Sequence, residues 1–511
     1  MTNRREFLKG ACAAAAVYGA PARIWGATGM MGKPDLVIGL LSDIHISLGP
    51  KGDPVKATRL FRHALEYFRD RHVDGVLVSG DLAHLGLETE LKAVADAWFS
   101  VFPDGKLPDG SPVANLMHYG DHDAEARFYS DGLKAEFAKA GVPLPRSLSQ
   151  GENRKEIWET LFHEPWSPVR HVKVKGYDFV LSNFMREGAA SAPKDLGERL
   201  AKMRLDPAKP FFYSQHRYIG GTYLADEEMW GGDNGVAGKV LPNYPNCVAF
   251  QGHTHYMLTD PRGVWIGPYV TVNTGSLKDA PCGRVRANGL DIFWYKDDYM
   301  REKQMGCLDA RVGHGGSVMT VKGDLIAIER RDFGCDLPLG PDIVFSMEPA
   351  LRSQNVDAAR KAKSIAPKFS PGAKVTISER MGKDRQRRET VQVVVRFPTV
   401  KASGSHPRAH EYFVRAEKAD GTLLKEERVY SPGINLPETK DAPETICVFA
   451  KRDVEGAARF AVRPANCWGV KGAALVADCP GRHSVVIETI GRGSSKNAGD
   501  GFRLATLLVR P

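Results

Sequence analysis

A chain of 511 residues is too long for one small domain, and at one domain per ~150 residues it holds two or three. Its 42% hydrophobic and 26% charged residues are an ordinary soluble globular composition. The net charge of +9 favours anionic ligands slightly and carries no nucleic-acid signature.

The N-terminus reads as an export signal rather than as part of the fold. Asn3-Arg4-Arg5-Glu6-Phe7-Leu8-Lys9 precedes a short Ala-rich run, Ala11 to Ala20, with Ala20-Pro21-Ala22 or Ala27 as cleavage points. The paired arginines resemble a twin-arginine signal, which carries folded proteins through the twin-arginine export machinery. Residues 1–27 are therefore expected to be removed and the mature protein to be periplasmic or secreted, in a bacterium. No segment is long and apolar enough to be expected to span a membrane. Without Cys12, seven cysteines remain: Cys247, Cys282, Cys307, Cys335, Cys447, Cys467 and Cys479. The odd number leaves a free thiol or an intermolecular partner. Cys282 with Cys307 and Cys467 with Cys479 are close enough in sequence to pair, and no Cys-x-x-Cys zinc spacing occurs.

The apolar run Asp35 to Leu41 predicts a strand buried on both faces, with Asp43 and His45 directly after it. Pro54 to Arg71 has helical spacing. Val73 to Ser79 predicts a second strand ending in Gly80-Asp81, Leu91 to Phe102 a helix, and Val113 to Met117 a third strand leading into Gly120-Asp121-His122-Asp123. This alternation predicts a parallel sheet with helices packed on it, its chemistry at the C-terminal strand ends. Between Ala124 and Lys209 the pattern is less clear. It holds an insertion-like stretch at Ser147 to Arg154, a hairpin pattern at Val172 to Ser182 and a short helix at Leu196 to Met203. Phe211 to Ser214 then leads to His216, Cys247 to Phe250 to Gly252-His253-Thr254-His255, and Tyr269 to Val272 to another polar turn. Val318 to Ile328 has the alternation of a closing strand pair.

Proline becomes frequent after Pro338, predicting a linker over 336–371. Beyond it, short alternating stretches at Val391–Phe397, Glu411–Ala416, Ala458–Val462 and Ser484–Ile487 predict a β-sandwich over 372–511. The stretch from Arg459 to Trp468 loosely resembles a late strand of fibronectin type III modules. The tail from Gly491 to Gly501 is Gly/Ser/Lys-rich, and the basic run Lys383 to Arg388 is expected to be a solvated loop.

The clusters carry the chemistry. In an extended chain residues i and i+2 point the same way, so Asp43 with His45 and His253 with His255 are each expected to serve one ion. Imidazole with carboxylate suits zinc, iron or manganese. A glycine before each of Asp81, Asp121 and His253 lets the backbone turn sharply. Asp81, at a strand end, is placed to bridge two cations.

In order, the motifs Asp43/His45, Gly80/Asp81, Gly120/Asp121/His122/Asp123, His216 and Gly252/His253/His255 resemble those of the calcineurin-like metallophosphoesterases, over roughly residues 35–333. The resemblance implies an α/β fold: a β-sandwich flanked by helices (αββα) over 34–335, followed here by the smaller all-β domain. It implies two divalent or mixed-valence ions, manganese, iron or zinc. Asp43, His45, Asp81 and His255 would hold the first; Asp81, Asp121, His216 and His253 the second. A metal-bridging hydroxide would attack a phosphomonoester or phosphodiester, with His122 protonating the leaving oxygen and Asp123 orienting His122.

One departure stands out: the family's metal-binding Asn is Asp121 here. Two divalent ions bring +4 and three carboxylates −3, so with a bridging hydroxide the core becomes neutral, predicting tighter metal retention and a less electrophilic site. The metal-binding tyrosine of purple acid phosphatases corresponds to His84, which argues against an iron(III)–tyrosinate enzyme. Two roles stand open for His84, substrate contact or packing behind the metals. Arg217 faces either a phosphate or solvent. The alternative to an enzyme is a catalytically weakened surface-binding protein that keeps the phosphoesterase fold. The C-terminal domain is open to binding a partner or a surface glycan.

Overall fold

The computed structural model describes residues 33–126, 130–186, 190–223, 232–278, 313–384, 388–432, 434–435, 437 and 444–479. The expected signal peptide, Cys282, Cys307, the strand at 484–487 and the tail at 491–501 lie outside these residues, as do positions 385–387 of the basic run.

Two mixed sheets form the first unit. β1 (Leu36–Leu41), β2 (Gly75–Ser79) and β3 (Ala114–His118) run parallel. The hairpin expected near Val318–Ile328 joins them as β10 (Gly315–Lys322) and β11 (Leu325–Asp332), with β10 antiparallel to β1. The second sheet has β5 (Tyr177–Ser182), β6 (Phe211–Ser214), β7 (Cys247–Gln251) and β9 (Val270–Asn273) in parallel. Antiparallel edges are added by β4 (Val169–Val174) and β8 (Val264–Ile266).

The sheets pack face to face. Leu36, Ile38 and Leu40 of β1, Leu77 and Leu116 meet Phe179, Leu181, Phe212, Val248 and Phe250 in one buried cluster. Side chains of alternate parity point to the outer face, where Val76, Val78 and Met117 pack under the helices Arg59–Asp70 and Glu88–Val101 through Phe61, Leu65, Phe68, Leu91 and Trp98. The outer face of the second sheet is covered through Leu196, Leu200 and Leu241. The result is four layers, helix–sheet–sheet–helix.

A smaller all-β unit follows. β14 (Thr376–Lys383), β15 (Glu389–Phe397) and β18 (Thr445–Ala450) form one antiparallel sheet. β16 (Glu411–Glu417), β17 (Leu423–Tyr430), β19 (Arg459–Ala465) and β20 (Leu475–Asp478) form the other. Val393, Val395, Phe397, Tyr412, Val414 and Phe460 fill the space between them.

One expectation is corrected. The stretch read as a linker is largely folded. Its strands β12 (Leu337–Pro338) and β13 (Ile343–Ser346) pair with β11, and helices follow at Pro349–Arg352 and Asp357–Lys363. Proline is tolerated there because β12 and β13 are edge strands and because Pro349 opens a helix. Cys467 and Cys479 form no disulfide with each other.

Candidate metal centre

All seven expected ligands lie just beyond strand ends, on one rim of the sandwich. Asp43 and His45 follow β1, Asp81 follows β2, and Asp121 follows β3 at the start of the short helix Asp121–Glu125. His216 follows β6, and His253 and His255 follow β7. Both sheets therefore contribute.

The local conformation is not the extended one that i, i+2 spacing suggests. Asp43, His45, Asp81, His253 and His255 all have positive φ, between 45° and 69°. Non-glycine residues adopt this left-handed region at a cost of about 1–3 kcal/mol each and hold it only where the surroundings over-determine it. Here they do. The Asp43 and His45 amides donate to the Gly80 and Asp81 carbonyls at 3.0 and 2.9 Å, and Gly252 N–H donates to the His216 carbonyl at 2.9 Å. His253 N–H donates to Asp43 Oδ2 and His122 N–H to Asp81 Oδ1, each at 2.9 Å. The ligand loops are thus hydrogen-bonded to one another across the two sheets.

Of the glycines before the ligands, Gly80 needs its conformational freedom, with φ at 92°, whereas Gly120 and Gly252 serve close approach. A Cβ on Gly120 would lie 2.2 Å from Asp81 Oδ1, and one on Gly252 would lie 1.9 Å from Ser42 Oγ.

The donor atoms fall into two sets. In the first, His255 Nε2 lies 3.2 Å from Asp43 Oδ1 and 3.1 Å from His45 Nε2, and His45 Nε2 lies 3.4 Å from Asp81 Oδ2. In the second, His216 Nε2 is 3.2 Å from Asp81 Oδ2, 3.4 Å from Asp121 Oδ1 and 3.2 Å from His253 Nδ1. Asp81 Oδ2 faces both. Ligand bonds of about 2.0–2.2 Å to a common ion place neighbouring donors roughly 3.0–3.5 Å apart, so the spacing fits two ions with a shared carboxylate. Asp43 Oδ1 is buried without a hydrogen-bond partner, as an oxygen reserved for a cation would be.

Electrostatics agree. Burial pushes the His45 imidazole well below its ordinary value and His253 down to about 3, so both are neutral and carry a lone pair at pH 7. Burial opposes charge on His216 as well, yet Asp81, Asp121 and Asp43 hold it well above the ordinary value, marking a place where positive charge is wanted. His216 Nδ1 donates to the Ser79 carbonyl at 2.8 Å, so the proton that an ion would displace is the one on Nε2, facing the carboxylates.

Beside the two sets lies His122. Its ring centroid is 4.5 Å from that of His45, and it stacks on His84 at 5.1 Å. Nδ1 of His122 donates to the His84 carbonyl at 2.9 Å. The expectation that Asp123 orients His122 is corrected. The Asp123 carboxylate instead accepts the backbone amides of Leu82, Ala83 and Gly120 at 3.1, 2.7 and 2.8 Å, clamping the β2 turn to the β3 turn. His84 Nδ1 is 3.2 Å from His45 Nδ1, and His45, His84 and His122 form a third group whose ligand atoms lie close enough together to hold an ion.

Arg217 is turned away from solvent, at 9% exposure, and onto Asp121. Its Nε and Nη2 donate to Asp121 Oδ2 at 3.3 and 2.9 Å, Glu125 Oε1 lies 3.7 Å from Nη2, and the guanidinium sits 4.7 Å over the Phe184 ring. The unusual Asp121 thus has a cation beside it, shared at longer range with Glu125, so the charge tally made from the ligands alone is incomplete. Only the adjacency of Arg217 to His216 signalled the pair.

No family model and no curated protein matches the chain. Among solved structures, the chain resembles a purple acid phosphatase from yellow lupin (Lupinus luteus) seeds at 12% identity and TM-score 0.38, over 66% of this chain and 58% of that one, less than two thirds of its length. It also resembles a dimetal phosphatase from Danio rerio, at 12% identity and TM-score 0.32 over 62% of this chain and 100% of that one. A third resemblance is to Vps29 from Entamoeba histolytica, at 11% identity and TM-score 0.26 over 61% of this chain and 100% of that one. At such values the chemistry of this chain rests on its own side chains.

Proposed function

We propose that this chain is a two-metal phosphoesterase of the calcineurin-like type, exported and acting on a phosphomonoester or phosphodiester. One observation carries this: donor side chains from both sheets converge in two sets, Asp43, His45 and His255 on one side and Asp81, Asp121, His216 and His253 on the other, with Asp81 Oδ2 also 3.4 Å from His45 Nε2. When bound, such ions would polarise a phosphoryl oxygen and lower the pKa of a coordinated water.

The chain's own residues supply the rest. Hydrogen bonds between the ligand loops hold the donors in place before substrate arrives, so no reorganisation is needed at reaction. His122 protonates the leaving oxygen. Its Nδ1 proton is committed to the His84 carbonyl, and that bond fixes the ring that carries the transferable proton. The feature that favours a weakened surface-binding protein is Asp121, where the family pattern has Asn. The Arg217 pair gives Asp121 a reason compatible with catalysis, which favours the enzyme.

Purified protein loaded in turn with manganese, iron and zinc, and assayed on bis-p-nitrophenyl phosphate and p-nitrophenyl phosphate, tests this. Turnover of either ester that disappears with His253→Ala is expected. Bound metal with neither ester cleaved would favour the binding protein.

A further inference from the structure

We propose that Arg217 is a positioning residue that makes Asp121 a charge-compensated ligand, so that the pair presents to the second ion an oxygen of nearly neutral character. This rests on the two-metal proposal above. Of the Asp121 oxygens, Oδ2 takes both guanidinium donors and lies 3.6 Å from His253 Nδ1, while Oδ1 lies toward His216 Nε2 at 3.4 Å. Two donors from one edge of the guanidinium converge on Oδ2, an approach that a lysine ammonium does not reproduce. Both groups are buried, with Asp121 at 0% and Arg217 at 9% exposure, so each charge would be costly without the other.

The pairing explains why asparagine cannot simply replace Asp121. An asparagine that turned its oxygen to Arg217 would aim its NH₂ at the ion. One that turned its oxygen to the ion would set NH₂ donors against the guanidinium. In either orientation donor faces cation, and only removal of Arg217 relieves the conflict. Conversely, removing Arg217 alone leaves Asp121 with its full charge. The ion should then be held more tightly and an anion less well, the opposite of what loss of a mere packing residue would do.

Divalent manganese is titrated calorimetrically into metal-stripped full-length wild type, D121N, R217M and the double variant, with thermal melts as a folding control. We expect D121N to weaken the second ion at least about tenfold, R217M to tighten it by about threefold or more, and D121N/R217M to return within about threefold of wild type. Inorganic phosphate should bind the manganese-loaded R217M protein more weakly than loaded wild type. Additive single effects, or an R217M protein that holds manganese more weakly, would overturn the pairing while leaving the two-metal proposal standing. Wild type taking up fewer than two ions would overturn both. If R217M does not fold, R217K decides: it keeps the charge, and manganese affinity within about threefold of wild type is expected, whereas a loss beyond about tenfold overturns the compensation.

Discussion

Asp123 shows how one side chain can be identified from a motif and still have its work misassigned. Beside His122 in sequence it looked like an orienting carboxylate, yet backbone geometry turns it the other way, onto three amides of neighbouring turns. Asp123→Ala should therefore cost about 3 kcal/mol of stability in denaturant titration, because buried amides lose their acceptor. A turnover loss equal to that of His122→Ala, with stability unchanged, would restore the orienting role. Glu90 makes a second residue-scale prediction. Burial raises its carboxyl to about 7 although the amides of Leu48, Leu85 and Leu87 donate to it. A carboxyl whose folded value lies above its unfolded one contributes stability at low pH that is lost as pH rises. Relative to Glu90→Gln, wild type should lose about 3 kcal/mol between pH 4.5 and pH 7. Parallel stability–pH curves for the two proteins would contradict this.

At the scale of elements, the strand-then-polar-cluster pattern was readable because each central strand is buried on both faces and is continuously apolar, as in the fully buried β7, Cys247–Gln251. The turns that aim the ligands were not readable. Left-handed conformations at Asp43, His45, Asp81, His253 and His255 are imposed by hydrogen bonds between loops distant in sequence, which no local pattern encodes. The same holds for Arg217, whose partner Asp121 lies on the other sheet's rim. β13 was hidden among prolines, and β14 and β17, with mostly polar, half-exposed side chains, lack the apolar alternation that marks a strand. Of the turn glycines, Gly252 is the most sensitive to test. Gly252→Ala would drive a methyl into Ser42 and Asp43, and the folded protein should lose the ion bound by Asp43, His45 and His255. Unchanged metal content would show that this loop yields without moving its ligands.

At the scale of the whole molecule, the C-terminal unit packs against the loops that carry the ligands. Tyr218 and Tyr256, each adjoining a residue of the metal centre, share a buried cluster with Met257, Tyr430 and Ile434. Thr259 Oγ1 donates to the Ile434 carbonyl at 2.6 Å. Beside them, Arg262 is ion-paired with buried Asp260 at 2.6 Å and lies 3.2 Å from His410 Nε2. Burial works against the Asp260 charge, but Arg262 and His410 outweigh it and hold the carboxyl far below its usual range. That stabilisation is present at neutral pH and is lost on acidification. A chain ending at residue 371 should therefore melt at lower temperature and retain metal less well than the full chain. Equal metal affinity in the two would make the C-terminal unit an independent module, free for a partner or a surface glycan.

The most direct test of the proposed two-ion centre is the metal stoichiometry of wild type against Asp81→Asn, since Asp81 Oδ2 faces both His45 and His216. About two ions per chain in wild type, falling to one or fewer in the folded variant together with ester hydrolysis, is the predicted result. Wild type that binds no manganese, iron or zinc, or a variant that still holds two ions with full activity, would contradict the two-metal centre.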